Sequence, residues 1–284
     1  EYQKESGESA TVVYPYLTGG IYGRGLITNT GATVEHDGTG YQGGNQSAAM
    51  YIYTEDGSEF YTDSSLKGRD PDFGDGLQPE TLTDVDGNVY RIVKIGKQYW
   101  TVENLRTLTY PDRTPIITNL QGQDWETNGF VAEDKGGCAV YDYKDAADSG
   151  AFNNKISYGV LYNWVAAKKV MPDGWKLPRE EDITHILQAY LGANAGTLLK
   201  ETGVEYWNTP AGTNLTGFAG MGGGYRETGG LSFKDQLETG IWWCSSSMEG
   251  VGSIFRLSAT SSSLGVGTGE NNSRGYSVRL LRNN

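Results

Sequence analysis

Apolar and polar positions along the chain change period twice. Val89–Ile95 and Gln98–Asn104 are short runs of β-branched and aromatic residues on either side of Gly96-Lys97, which predicts a hairpin with a tight two-residue turn. Thr83–Asn88, with its Asp-Gly-Asn step, predicts a turn just before it. The period then lengthens. Val160, Leu161, Trp164 and Val165 recur at helical spacing and predict a helix over Tyr158–Lys169, stopped by Pro172-Asp-Gly174. Ile183, Ile186, Leu187, Tyr190 and Leu191 form one apolar stripe and predict a second helix over Arg179–Leu191. Glu180, Glu181 and Asp182 stand at its start, where carboxylates complement the helix dipole. From Asn208 the pattern is loops and short strands at Gly222–Arg226, Leu231–Phe233, Ile241–Ser245, Ser253–Ser258 and Tyr276–Leu281. The expectation is an α+β domain of two helices and antiparallel strands over residues 80–284.

Residues 1–79 carry no helical period. Thr11–Tyr16 and Ala48–Tyr53 read as strands, with a turn at Glu55–Ser58, and the acidic, glycine-rich Arg69–Gly76, closed by Pro79, reads as a linker. A small β-rich unit is expected there. Asp70, Asp72 and Asp75 supply oxygen ligands for a hard cation, but no bidentate glutamate closes the set, so a solvated loop is expected.

Composition narrows the function classes. A net charge of -12 and a pI near 4.7 oppose a phosphate-binding surface, so nucleic acid is not an expected partner. Mean hydropathy is -0.50 and no apolar run approaches the ~18 residues of a membrane helix. Glycine and tyrosine are abundant (41 and 19), which suits a turn-rich β domain with an aromatic core or binding face.

The residues of the common catalytic sites are sparse. His36 and His185 fall in different units, which disfavours a histidine metal cluster or a Ser-His-Asp site, and His185 is expected to be a half-buried structural residue. Cys138 and Cys244 form no CxxC pattern and are expected to be buried thiols or one bridge. Met221-Gly-Gly-Gly224 lacks the Lys-Ser/Thr of a phosphate loop and reads as a tight turn into a strand. No catalytic residue, metal or cofactor is expected.

A series of motifs, in order, carries a resemblance: Asp84-Val-Asp-Gly-Asn-Val-Tyr90, Ile95-Gly-Lys-Gln-Tyr-Trp-Thr-Val-Glu-Asn-Leu105, Tyr158-Gly-Val-Leu-Tyr-Asn-Trp164, Pro172-Asp-Gly-Trp-Lys-Leu-Pro178, Leu199-Lys-Glu-Thr-Gly203, Trp207-Asn-Thr-Pro210, Gly217-Phe218, Gly223-Gly-Tyr-Arg226, Trp242-Trp243 and Gly275-Tyr-Ser-Val-Arg279. Over residues 81–282 the chain resembles the Fibrobacter succinogenes major paralogous domain. That family is similar in fold to C-type lectins and formylglycine-generating enzymes. The resemblance implies a C-type-lectin-like domain in a secreted or surface-displayed bacterial protein, on a cell or a phage particle. It implies no known reaction. Since no basic and apolar leader opens the sequence, the expectation is that a signal segment has been removed, the alternative being a cytoplasmic protein. Trp207-Asn208-Thr209 lacks the acid of the lectin calcium motif, which puts calcium-dependent sugar binding in doubt. An oxidase or hydrolase on the same fold, using Cys138, Cys244 or acidic residues, is the alternative, and a pilus or fibre-tip subunit a third.

In lectin-like folds the last strands and loops form the ligand face. Met248, Phe255, Arg256, Thr260, Ser261, Asn271, Asn272 and Arg274 are therefore the expected ligand contacts, and the partner a glycan or protein receptor on another cell. Trp242 and Trp243, one ring to each side of a strand, are expected to anchor this face, with Tyr225 and Arg226 as further structural residues. The segment Gly250–Arg274 is plain enough to read as solvated loops. It also resembles the variable segment of proteins diversified by retroelements, where AAC codons become NNC codons that never encode Lys, Glu, Gln, Met or Trp. Glu270 is the one residue in it outside that set.

Overall fold

The structure is a computed structural model that describes residues 2–3, 9–10, 34–36, 39–41, 51–53, 59–61, 76–130, 136–210, 212–245 and 251–283. The chain divides into two compact units, Glu1–Gly74 and Asp75–Asn284. In the first, the described residues pair as short antiparallel ladders: β1 (Tyr2–Gln3) with β2 (Ser9–Ala10), β3 (Val34–His36) with β4 (Thr39–Tyr41), and β5 (Tyr51–Tyr53) with β6 (Glu59–Tyr61). Thr11–Tyr16, the Glu55–Ser58 turn, the acidic trio Asp70, Asp72 and Asp75, and Met248 lie outside the described residues.

The second unit opens on a strand that overlaps the expected linker. β7 (Gly76–Thr83) runs through Pro79 and pairs with β8 (Val89–Ile95), with its register broken between Leu77 and Thr81. Proline has no N–H to give, and β7 is the edge of its sheet, where that loss is tolerated. Asp84 closes the β7–β8 turn: Oδ1 accepts from the N–H groups of Asp86 (3.0 Å) and Asn88 (2.9 Å), and Oδ2 from the Tyr90 hydroxyl (2.6 Å). The predicted hairpin follows, β8 pairing with β9 (Gln98–Thr101).

The first predicted helix is broken into separate pieces. After α1 (Gly122–Phe130) and β10 (Cys138–Ala139) come α2 (Phe152–Tyr158), β11 (Leu161–Tyr162) and the single turn α3 (Trp164–Ala167), and β11 pairs with β10. Gly159, at φ 79°, ends α2. Asn163 is extended and caps α3, its Oδ1 accepting from Ala166 N–H at 3.0 Å. Val160 lies in the link after α2 and Leu161 in β11, and both are buried without being helical, so their helical spacing was coincidental.

The second predicted helix follows β12 (Trp175–Lys176) but winds loosely. Asp182–Gln188 is π-helical and passes into α4 (Ala189–Leu191), followed by α5 (Ala195–Leu199). Widening the turn to an i→i+5 bond rotates later residues out of phase with a 3.6 period. Ile183 and Leu187 are buried, but Ile186 is 38% exposed, and His185, expected half-buried, is exposed.

Two five-stranded sheets organise this α+β unit. One runs β12-β18-β9-β8-β7, where β18 is Leu281–Arg282. The other runs β14-β13-β15-β16-β17, from β13 (Gly223–Arg226), β14 (Phe233–Gln236), β15 (Thr239–Cys244), β16 (Gly252–Ser258) and β17 (Gly265–Glu270). Neighbours are antiparallel except β13 and β15, which meet in parallel at Gly224 and Gly240.

The adjacent tryptophans of β15 build both faces of the core. Trp242 stacks on Phe255 (5.0 Å between centroids) and meets Phe218 edge-on, while Trp100 of β9 meets Phe255 and Phe218 edge-on. The Trp242 indole N–H donates to Asn104 Oδ1 at 2.7 Å, an oxygen that also accepts from Arg279 Nη2 at 2.7 Å. Trp243 points the other way, against Trp164 (5.1 Å) and Tyr276 (4.7 Å), and donates to the Tyr162 carbonyl at 2.7 Å. Edge-to-face pairs of this kind add about 0.5–1.5 kcal/mol each beyond area burial. Each indole N–H also has an acceptor, so burying these rings leaves no donor unmet.

Candidate functional site

Within the plain segment, the described residues Val251–Arg274 contain two strands joined by a turn. β16 and β17 form a hairpin, with Phe255 opposite Val266 and Arg256 opposite Gly265. Alternate glycines hid β17 from the sequence pattern, and they have a packing reason. A Cβ on Gly265 would lie 3.0 Å from Arg256 Cγ, and one on Gly267 would lie 3.1 Å from Ile254 Cγ1, so bare backbone lets those side chains lie across the neighbouring strand.

This hairpin divides the expected ligand contacts. Phe255 is fully buried in the Trp242 stack and cannot touch a ligand, whereas its neighbour Arg256 is exposed. Successive strand residues face opposite ways, so both could not have served one face. Thr260 (exposed) and Ser261 (partly exposed) lie in the turn at one end of the hairpin. Asn271, Asn272 and Arg274 lie past the other end. With arms rising roughly 3.3 Å per residue, the two groups stand about 20 Å apart. Asn272 is framework as well: its Oδ1 accepts from Gly252 N–H (3.0 Å) and its carbonyl from Trp164 N–H (3.0 Å). Asn271 Oδ1 accepts from the Ser273 N–H (3.0 Å) and hydroxyl (2.8 Å), closing the turn before Arg274.

Arg274 is the centre of what remains. Its Nη1 donates to Glu270 Oε2 and to the Tyr276 hydroxyl, both at 3.1 Å, and the Tyr276 hydroxyl donates to the same carboxylate at 2.9 Å. The guanidinium carbon lies 5.6 Å from the centre of the Tyr225 ring, and Tyr225 donates to Glu227 Oε1 at 3.0 Å. Glu227 in turn faces Lys234 at 3.8 Å. The hydrogen bond to Tyr276 holds the Arg274 guanidinium above its ordinary pKa. Burial, then the bond to Glu227, pushes the Tyr225 hydroxyl up to about 12. At neutral pH the cluster is therefore a fixed cation on a neutral phenol between two carboxylates. The Arg274 side chain is 36% exposed, and its buried Nε has no hydrogen-bond partner among the described residues.

Tyr225 thus belongs to the cluster as well as to the core, while Arg226, the next residue, is wholly buried. It lies 3.9 Å over the Trp125 ring and donates through Nη2 to the Leu120 and Gly230 carbonyls, both at 2.6 Å. Glu270, Tyr276 and Glu227 were missed from the sequence. A signal existed for Glu270, the one residue of its segment outside the NNC set.

Neither cysteine offers an exposed nucleophile. Cys138 and Cys244 are free and fully buried, and burial raises both thiols far above their ordinary range. Among the described residues no three His, Cys, Asp or Glu side chains gather as metal ligands, and no helix is long and apolar enough to cross a membrane.

The family model of the Fibrobacter succinogenes major domain matches residues 93–282. The chain belongs to this family. Its matched span runs from within β8 through β18, so it covers the β13–β17 sheet, the other sheet apart from β7 and the start of β8, and the Arg274 cluster, while the Asp84–Tyr90 motif precedes it. The family takes its name from a bacterium, which fits a bacterial origin. No curated protein and no solved structure matches the chain.

Proposed function

We propose that the Fibrobacter succinogenes major domain of this protein is a non-catalytic, C-type-lectin-like recognition module of a secreted or surface-displayed protein, and that it binds a glycan or protein receptor at the Arg274 cluster. The observation that carries this reading is Arg274 itself. It is partly exposed, fixed by Glu270 and Tyr276 against Tyr225, and left with a buried Nε–H that has no acceptor among the described residues. A guanidinium held in place gives up less side-chain entropy on binding, and an aromatic ring beside it offers an apolar surface at low entropic cost. The buried thiols favour this reading over an oxidase that uses them.

Screening glycans and surface proteins for binding tests it, with the wild-type chain and Arg274→Ala compared in buffer containing chelator. Binding that survives chelation and falls at least about tenfold in Arg274→Ala supports the site. Unchanged binding in that variant removes it. The finer reading, a segment diversified by a retroelement, is supported only by the residue set of Gly250–Arg274. Deep sequencing of the gene across its source population decides it: substitutions concentrated at adenine positions of the codons sustain it, and an invariant segment ends it.

A further inference from the structure

Met221-Gly-Gly-Gly224 takes no part in the Arg274 cluster. Its three glycines each lie against a different tyrosine. A Cβ on Gly222 would stand 2.9 Å from the Tyr206 carbonyl oxygen, one on Gly223 3.6 Å from Tyr158 Cβ, and one on Gly224 2.7 Å from Tyr141 Cε2. Tyr141, Tyr158 and Tyr206 are each partly exposed.

Two of these rings make a corner. Tyr158 and Tyr206 lie 5.8 Å apart between centroids and 77° apart in plane. Their hydroxyls both turn to Glu205: that of Tyr158 donates to its carbonyl oxygen at 3.4 Å, and that of Tyr206 bonds to its side chain. The polar ends are thus engaged. Glu205 is exposed, and so are Asp142, Asp235 and Glu238 around Tyr141. Burial raises all three phenols, Tyr206 to about 12, and nearby carboxylates add to each shift: Asp142, Asp235 and Glu238 at Tyr141, Glu205 at Tyr158, and Glu205 and Glu201 at Tyr206, where Tyr158 also contributes. Val204, 67% exposed, adds an apolar step beside Glu205.

We propose that the Tyr158–Tyr206 corner, with Glu205 at its rim, takes the alkylammonium head of a lysine side chain on a partner protein. Two ring faces at a right angle surround a compact cation, and a carboxylate supplies the counter-charge. A planar guanidinium gains most from stacking flat on one ring, and a sugar likewise needs a flat platform, so neither fits a right-angled pair as well. The site rests on none of the groups of the Arg274 cluster, so the two assignments fail separately.

The test is an NMR titration of the full chain, following the tyrosine ring resonances. The probes are Nα-acetyl-lysine methylamide, its Nε-acetylated form and glucosamine. The free amine should move the Tyr158 and Tyr206 signals and bind about tenfold more tightly than its acetylated form. Glu205→Gln, a change at an exposed position, should remove most of that preference, Tyr206→Leu should abolish the response, and Arg274→Ala should leave it intact. Equal binding of the acetylated probe, or an undiminished preference in Glu205→Gln, overturns the proposal. Tighter binding of glucosamine overturns the lysine assignment in favour of an amino sugar.

Discussion

The two ends of the β16–β17 hairpin are held by different chemistry. At the turn, the buried Lys200 donates from Nζ to the carbonyls of Ser258 and Ser261, both at 2.8 Å, with Trp207 below it at 5.6 Å. A lysine reaching backbone carbonyls holds a turn whatever its side chains are. At the far end, Asn272, Asn271 and Glu270 hold the chain through their own side chains. The turn has side-chain bonds of its own, Thr260 N–H to Ser258 Oγ (3.3 Å) and Ser263 N–H to Ser261 Oγ (3.1 Å), but both are exposed, so its shape depends on side chains less than the far end does.

The sharpest way to break that contrast is at Lys200. Lys200→Met keeps the stem but leaves two carbonyls without their donor, and should cost about 2–4 kcal/mol. Urea denaturation measures the loss, and amide exchange should quicken first near Ser261–Leu264. If exchange quickens evenly over the unit, the turn does not depend on Lys200 in particular. A smaller effect is expected at the other end. Asn272→Ala removes the acceptor for Gly252 N–H and should cost about 1–2 kcal/mol by the same denaturation. Smallest of all, Thr260→Ala and Ser261→Ala should each shift stability by no more than about 0.5 kcal/mol. A cost above about 1 kcal/mol at either would erase the distinction between an end set by its backbone and an end set by its side chains.

The site was half legible. Arg274 stood among the expected contacts, but its partners are set by where the chain returns. Glu270 ends a strand whose alternate glycines carry no periodic signal, and Tyr276 follows only after the Asn271–Arg274 turn. Phe255 could have been assigned correctly from the sequence, since a strand that exposes Arg256 must turn its neighbour inward. The broken helix was legible too: Gly159 and Asn163 are an ordinary stop and an ordinary start, and the apolar spacing masked them.

What the sequence determined by itself is local. The β8–β9 hairpin follows from a two-residue turn between β-forming runs, the tryptophan pair follows from strand alternation, and the family follows from the order of short motifs. The π-helical phase that exposes Ile186 and His185 was decided only in three dimensions, as were the buried cations Lys200, Arg226 and Arg279 and the gathering of Arg274, Glu270, Tyr276 and Tyr225. The reason is physical. A turn or a strand depends on neighbours in the chain, whereas a buried cation is stable only where distant carbonyls and rings converge on it. Arg279 meets the Asn104 amide and the carbonyl of Phe218, groups that come together only when the two sheets close on Trp242.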